Sequence, residues 1–120
     1  MATRELEVSV RRRAGTAVLD LVGDIDSAAE PALQRAYDGA TAESESVVLN
    51  FSGIDYINST GIALIVGLLA QARARGIEIT ACGLSEHYRE IFEITRLADF
   101  MRITDNEDGA VVGAERGTHA

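Results

Sequence analysis

Residues 47–75 read VVLNFSGIDYINSTGIALIVGLLAQARAR, and this stretch decides the fold. Val47 to Phe51 is nearly continuous apolar, the signature of a strand buried on both faces of a parallel sheet. Ser52 to Tyr56 reads as the loop beyond its carboxyl end. From about Ser59 to Arg75 the spacing turns helical, with Ile62, Ile65, Val66, Leu69 and Ala72 on one stripe and Leu64 and Leu68 on another face. A helix apolar on more than one face is either buried against a neighbouring helix or presents a contact surface. Two adjacent hydroxyls, Ser59 and Thr60, fall where the loop enters this helix.

Outward toward the N-terminus, Leu6, Val8 and Val10 alternate with Glu7, Ser9 and Arg11, a half-buried strand pattern. Arg11-Arg12-Arg13-Ala14-Gly15 reads as a polar turn, either an anion patch or a solvated hairpin tip that discourages edge pairing. Ala17 to Val22 is a second strand, expected antiparallel to the first. Gly23-Asp24-Ile25-Asp26-Ser27 ends it, and a helix follows from Ala28 to about Ala40. Its start has two solutions: a capping box of Ser27 with Glu30, or a helix that begins at Pro31. Ala32, Leu33, Ala36 and Tyr37 form its apolar stripe.

Outward toward the C-terminus, Gly76 terminates the central helix and Ile77 to Cys82 alternates like a strand. Ser85 caps a helix from Glu86 to about Thr95, with Tyr88, Ile91 and Phe92 on its buried stripe and His87 exposed. Met101-Arg102-Ile103 is a last short strand, and Asp105 to Val112 a short helix. Residues 113–120, His119 among them, read as a frayed tail. The order β-β-α-β-α-β-α-β with a short C-terminal helix or tail implies an α/β fold with a mixed, mainly parallel sheet covered by helices. The 120 residues form a single domain, with its core at about 5–112.

A net charge of −8 argues against nucleic-acid partners, which are held largely by basic residues on phosphates. The lone Cys82 excludes an intrachain disulfide, and no Cys/His spacing suggests zinc or any other metal. The first residues, MATRELEVSV, lack the apolar segment of a signal peptide. The longest apolar run, Ile62 to Ala70, is too short to span a bilayer, so a cytoplasmic protein without membrane insertion is expected. Two poorly placed histidines, no phosphate-loop pattern and no dinucleotide fingerprint point away from an enzyme and from cofactors.

What remains is Ser59-Thr60-Gly61. Loops at the carboxyl ends of parallel strands collect binding sites. A serine at a helix N-terminus faces unpaired N–H groups, a favourable place for a phosphate, but it is equally a plain N-cap.

Several pieces together resemble a STAS domain of the bacterial anti-sigma factor antagonist type. These are Gly23-Asp24-Ile25-Asp26, Pro31-Ala32-Leu33, Val47 to Ile54, and above all Tyr56-Ile57-Asn58-Ser59-Thr60-Gly61-Ile62. The resemblance covers about residues 5–112. It places the family's phosphorylation site on Ser59, with Thr60 the second choice, and the partner-binding surface on Asp24, Asp26, Ser27, Asn58, Ser59, Thr60 and Gly61. Two positions depart from the family pattern: Asn50 and Asn58 stand where aspartates are usual, which keeps the hydrogen-bonding shape and removes the charge.

The resemblance implies partner switching. The unmodified antagonist binds an anti-sigma factor that is also a serine kinase and frees a sigma factor. Phosphorylation blocks this, and a serine phosphatase restores it. The outcome is transcriptional regulation, as in a stress response. The alternative implied by related stand-alone domains is a constitutive accessory subunit of an ABC-type lipid-transport ATPase. A nucleotide-binding module is a third reading, opposed by the lack of a lysine after Gly61. The spare apolar face on the Ile62-to-Ala72 helix leaves room for a homodimer.

Overall fold

The computed structural model describes residues 4–117. Strands β1 (Glu7–Arg13) and β2 (Thr16–Ile25) lead into α1 (Glu30–Thr41), then β3 (Ser46–Ile57) and α2 (Ser59–Arg75). They are followed by β4 (Glu78–Cys82), α3 (Glu86–Ile94), β5 (Arg102–Thr104) and α4 (Glu107–Gly117). The five strands lie side by side in chain order. β1 is antiparallel to β2, and every other pair is parallel.

This order dictates where the helices go. Each crossover steps the sheet in the same direction, and right-handed connections then place α1, α2 and α3 on one face. Alternate side chains on a strand point to opposite faces. Leu19, Leu49 and Ala81 accordingly join the core under those three helices, with Leu33, Ile65 and Phe92. Val18, Val48 and Cys82 face the other way and meet Ala110 and Val111 of α4.

Several boundaries differ from the sequence expectation. The three arginines are not the hairpin tip. Arg11, Arg12 and Arg13 belong to β1, and the turn is Ala14-Gly15, both at positive φ as a two-residue hairpin requires. Arg11 and Arg13 form ion pairs with Glu107, and Arg13 with Asp108, so they fasten α4 across the hairpin. Those arginines hold the Glu107 carboxyl below its ordinary range.

Ser52 to Tyr56 is not a loop. β3 continues through it to Ile57 because β2 is also longer, and the two pair as far as Ile25 with Ile57. Gly53 breaks the apolar pattern but fits the pairing, since a Cβ there would lie 2.8 Å from the Leu21 carbonyl oxygen. The first helix begins at Glu30, one residue before the second of its two predicted starts, and the Ser27 capping box does not form. Asp26 caps a single 3-10 turn, Ser27–Ala29, by accepting the Ala28 N–H at 3.0 Å, and the α-helix follows with Pro31 in its first turn. At the other end α4 extends to Gly117, beyond the expected Val112. The rest of the expected tail, 118–120 with His119, lies outside the described residues. No described helix is long and apolar enough to cross a membrane.

Candidate functional site

β2 and β3 are parallel neighbours, so the segments leaving their carboxyl ends emerge side by side. The Asn58 N–H donates to the Ile25 carbonyl at 3.2 Å, which ties the start of α2 to the end of β2. Asn58 is extended and caps α2: its Oδ1 accepts the Gly61 N–H at 2.8 Å. Its carbonyl accepts the Ile62 N–H at 2.9 Å, the first helical bond. Ser59 and Thr60 therefore occupy the first two helical positions, both exposed, at the positive end of the helix. Of the two roles open to the Ser59 hydroxyl, the cap belongs instead to Asn58.

Gly61 sits where nothing larger fits. A Cβ there would lie 2.0 Å from the Ile25 carbonyl oxygen. Gly23 has the same kind of role: its φ is +113, and a Cβ there would lie only 2.7 Å from the Glu5 carbonyl oxygen. That close approach lets the Arg4 segment bond Asp24: Arg4 N–H donates to Asp24 Oδ2 at 3.0 Å, and Asp24 N–H returns a bond to the Arg4 carbonyl. Asp24 is 8 % exposed, so its carboxylate holds the N-terminal segment in place. Asp26 and Ser27 lie in the adjoining turn, Asp26 as its cap. Asp55 pairs with Arg4 at 2.6 Å.

The expected Asp24, Asp26, Ser27, Asn58, Ser59, Thr60 and Gly61 thus belong to two neighbouring segments at the carboxyl ends of the interior strands β2 and β3. Within them Asp24 and Gly61 are buried, and Ser27, Ser59 and Thr60 are exposed.

Asn50 and Asn58 each have a structural account. The charge-neutral cap at Asn58 makes the bond a carboxylate would make. Asn58→Asp is therefore expected to keep the cap and to stabilise the fold by about 0.5 kcal/mol at low salt, through the added charge at the helix N-terminus. Urea denaturation at low and high salt checks this, and the gain should shrink with salt.

Asn50 stands between a group that needs a donor and groups that need an acceptor. Its Nδ2 donates to Asp20 Oδ1 at 2.8 Å, and its Oδ1 accepts from the Ser52 hydroxyl at 2.8 Å and the Ser52 N–H at 3.2 Å. Arg11 first, and Asn50 after it, hold the Asp20 carboxyl below its usual range. Asn50→Asp would replace the donor with a second carboxylate. The new pair would share a proton, raising one folded-state pKa, so its stabilising effect is present at acid pH and lost as pH rises. The variant is expected to match wild type near pH 4 and to be about 2 kcal/mol less stable at pH 7, measured by denaturation at both pH values.

Tyr88 at this end of the sheet carried no sequence signal for a site. Ile57 lies beyond the end of β4, and its N–H finds the Tyr88 hydroxyl at 2.9 Å. Helical spacing gave only the inward direction of Tyr88. Tyr56, 52 % exposed, stands three residues before Ser59 inside what reads as a loop. The other nucleophile, Cys82, is buried and its thiol is pushed up to about 11, which makes it unreactive. Among the described residues no group of His, Cys, Asp and Glu is placed to hold a metal ion.

The STAS domain model matches residues 7–110. The anti-sigma-B factor antagonist of Listeria monocytogenes is 32 % identical over 89 residues, which is 72 % of this chain and 77 % of that one. Among solved structures, an anti-sigma factor antagonist from Mycobacterium paratuberculosis superposes with a TM-score of 0.81 at 18 % identity, covering 92 % of this chain and 95 % of that one. SpoIIAA in its unphosphorylated form gives a TM-score of 0.70 at 18 % identity, over 92 % of this chain and 99 % of that one. The Bacillus SpoIIAA in its phosphorylated form gives 0.67 at 19 % identity, over 88 % and 96 %. The structural likenesses, all below a quarter identity, bear on the fold.

Proposed function

The chain belongs to the STAS domain family, and from that premise we propose that it is an anti-sigma factor antagonist switched by phosphorylation of Ser59. In its unmodified form it binds an anti-sigma factor that is also a serine kinase, and a sigma factor is released. The kinase then modifies Ser59 and the complex dissociates, until a serine phosphatase resets the chain. Relatives of this size carry the name anti-sigma factor antagonist, and SpoIIAA is a protein of the same fold with a phosphorylated form.

The observation that carries the proposal is the division of labour at the start of α2. Asn58 makes the cap, and the Ser59 hydroxyl is exposed beside it. A phosphate there adds about −1.5 to −2 charges. Helix N-termini accommodate such a group, so the fold survives and the charge acts on whatever docks there.

Calorimetric titration with the purified anti-sigma factor of the same organism tests the proposal, with binding by the unmodified chain expected. Asn58 in place of aspartate also suits a constitutive role as an accessory subunit of an ABC-type lipid-transport ATPase. Stable capture of such an ATPase, without binding to the anti-sigma factor, would favour that role instead.

A further inference from the structure

Phe100, just before β5, is 54 % exposed, and Val66 on α2 is 46 % exposed. Between them lies a hollow of about 260 Å³ walled by Ala70, Thr95 and Leu97 as well. Pockets that enclose small molecules are generally about 300–1,000 Å³, so this one is sized for a protein side chain. The Arg73 guanidinium lies over the Phe100 ring, 5.6 Å from its centroid. We propose that this hollow and the Phe100 ridge are a second foothold of the protein partner that reads Ser59, taking an apolar side chain carried on an acidic segment. The inference rests on the proposed antagonist function and extends its interface to the far end of α2.

Two observations support the assignment. The first is the outer face of α2. From Ser59 the exposed positions run through Ala63, Val66 and Ala70 to Arg73, with no charge before Arg73. The outward faces of α1 and α3 carry charge, with Glu30, Arg35 and Asp38 on α1 and Glu86, Glu90 and Glu93 on α3, the last beside the exposed Ile94. Ser59 and Arg73 are about 21 Å apart along the helix axis at 1.5 Å per residue. An ordinary interface of about 800 Å² per partner covers that distance.

The second is charge. Arg73 lines the hollow with its guanidinium over Phe100, and on the other side of the ridge Arg102 pairs with Glu78 at 2.9 Å. The charged residue that lines the hollow is thus basic, on a chain of net charge −8. A two-fold contact between copies would set arginine against arginine and one acidic chain against another. An acidic segment of a different protein meets Arg73 favourably.

The test is calorimetric titration of the purified anti-sigma factor/serine kinase of the same organism into wild type, Ser59→Glu, Phe100→Ala, Val66→Glu and Arg73→Glu. Thermal melts confirm that each variant is folded. Phe100→Ala and Val66→Glu are expected to weaken binding about tenfold or more, as loss of an apolar anchor does. Arg73→Glu should weaken it as well, with slower association. Binding by wild type and release by Ser59→Glu, with Phe100→Ala and Val66→Glu within about twofold of wild type, would overturn the second foothold and leave the switch standing. No binding by wild type would overturn both. A wild-type dimer in sedimentation that Phe100→Ala makes monomeric would assign the ridge to a second copy and also overturn the proposal.

Discussion

Gly61→Ala is expected to destabilise the protein by about 3 kcal/mol, lowering its melting temperature by roughly 10–20 °C. Helix propensity alone says the opposite, since alanine is favoured over glycine inside a helix by about 1 kcal/mol. Position decides between the two. A Cβ at Gly61 would fall 2.0 Å from the Ile25 carbonyl oxygen, 2.8 Å from its carbon and 3.0 Å from Ile25 Cγ2. Two of these three atoms are backbone in the interior of the sheet, and the oxygen also receives the Asn58 N–H. The added methyl must therefore push the first turn of α2 away from β2, losing that bond and displacing Ser59. Thermal and urea denaturation measure the effect. A variant as stable as wild type would mean that α2 does not dock on Ile25 as described.

Replacing Ser59 is expected to have the largest effect on binding. Ser59→Ala removes the acceptor hydroxyl and leaves the Asn58 cap intact, so it should bind the anti-sigma factor at least as well as wild type. Ser59→Glu puts a carboxylate into the proposed interface, where a like-charge contact costs several kcal/mol, an affinity loss of about 100-fold or more. Glutamate carries less charge than phosphoserine, so its effect falls short of the full switch. The same substitution should leave stability unchanged or raise it by about 0.5 kcal/mol, because a negative charge at the start of a helix is favourable. Lost binding with retained stability separates a charge effect from unfolding. Equal affinity for all three proteins would count against a charge switch at this position.

Strong local signals gave α2 almost residue for residue. Helical spacing starts it at Ser59, and Gly76 ends it in the left-handed conformation. The Ser85 cap on α3 was equally readable, with its hydroxyl accepting the Tyr88 N–H at 3.2 Å. Long-range partners were not readable. The continuation of β3 past Phe51 depends on a β2 that runs on to Ile25, and neither strand shows this alone. The role of Arg11 and Arg13 depends on Glu107, more than ninety residues away in the chain. At the candidate site, the motif marked the turn between β3 and α2 but left the roles of neighbouring residues open. Asn58 and Ser59 are both good cap formers, and only the backbone geometry of Asn58 assigns the cap. The buried state of Asp24 follows from the Gly23 close approach, which no periodicity encodes.

The most direct measurement combines modification and binding on one sample. The unmodified chain is incubated with the purified anti-sigma factor/serine kinase and ATP, and peptide mass mapping follows the label while calorimetry follows the affinity. One phosphate on Ser59, with binding lost in step with its appearance, is the predicted result. Label on Thr60, no label at all, or full modification of Ser59 with binding unchanged would contradict the proposed switch.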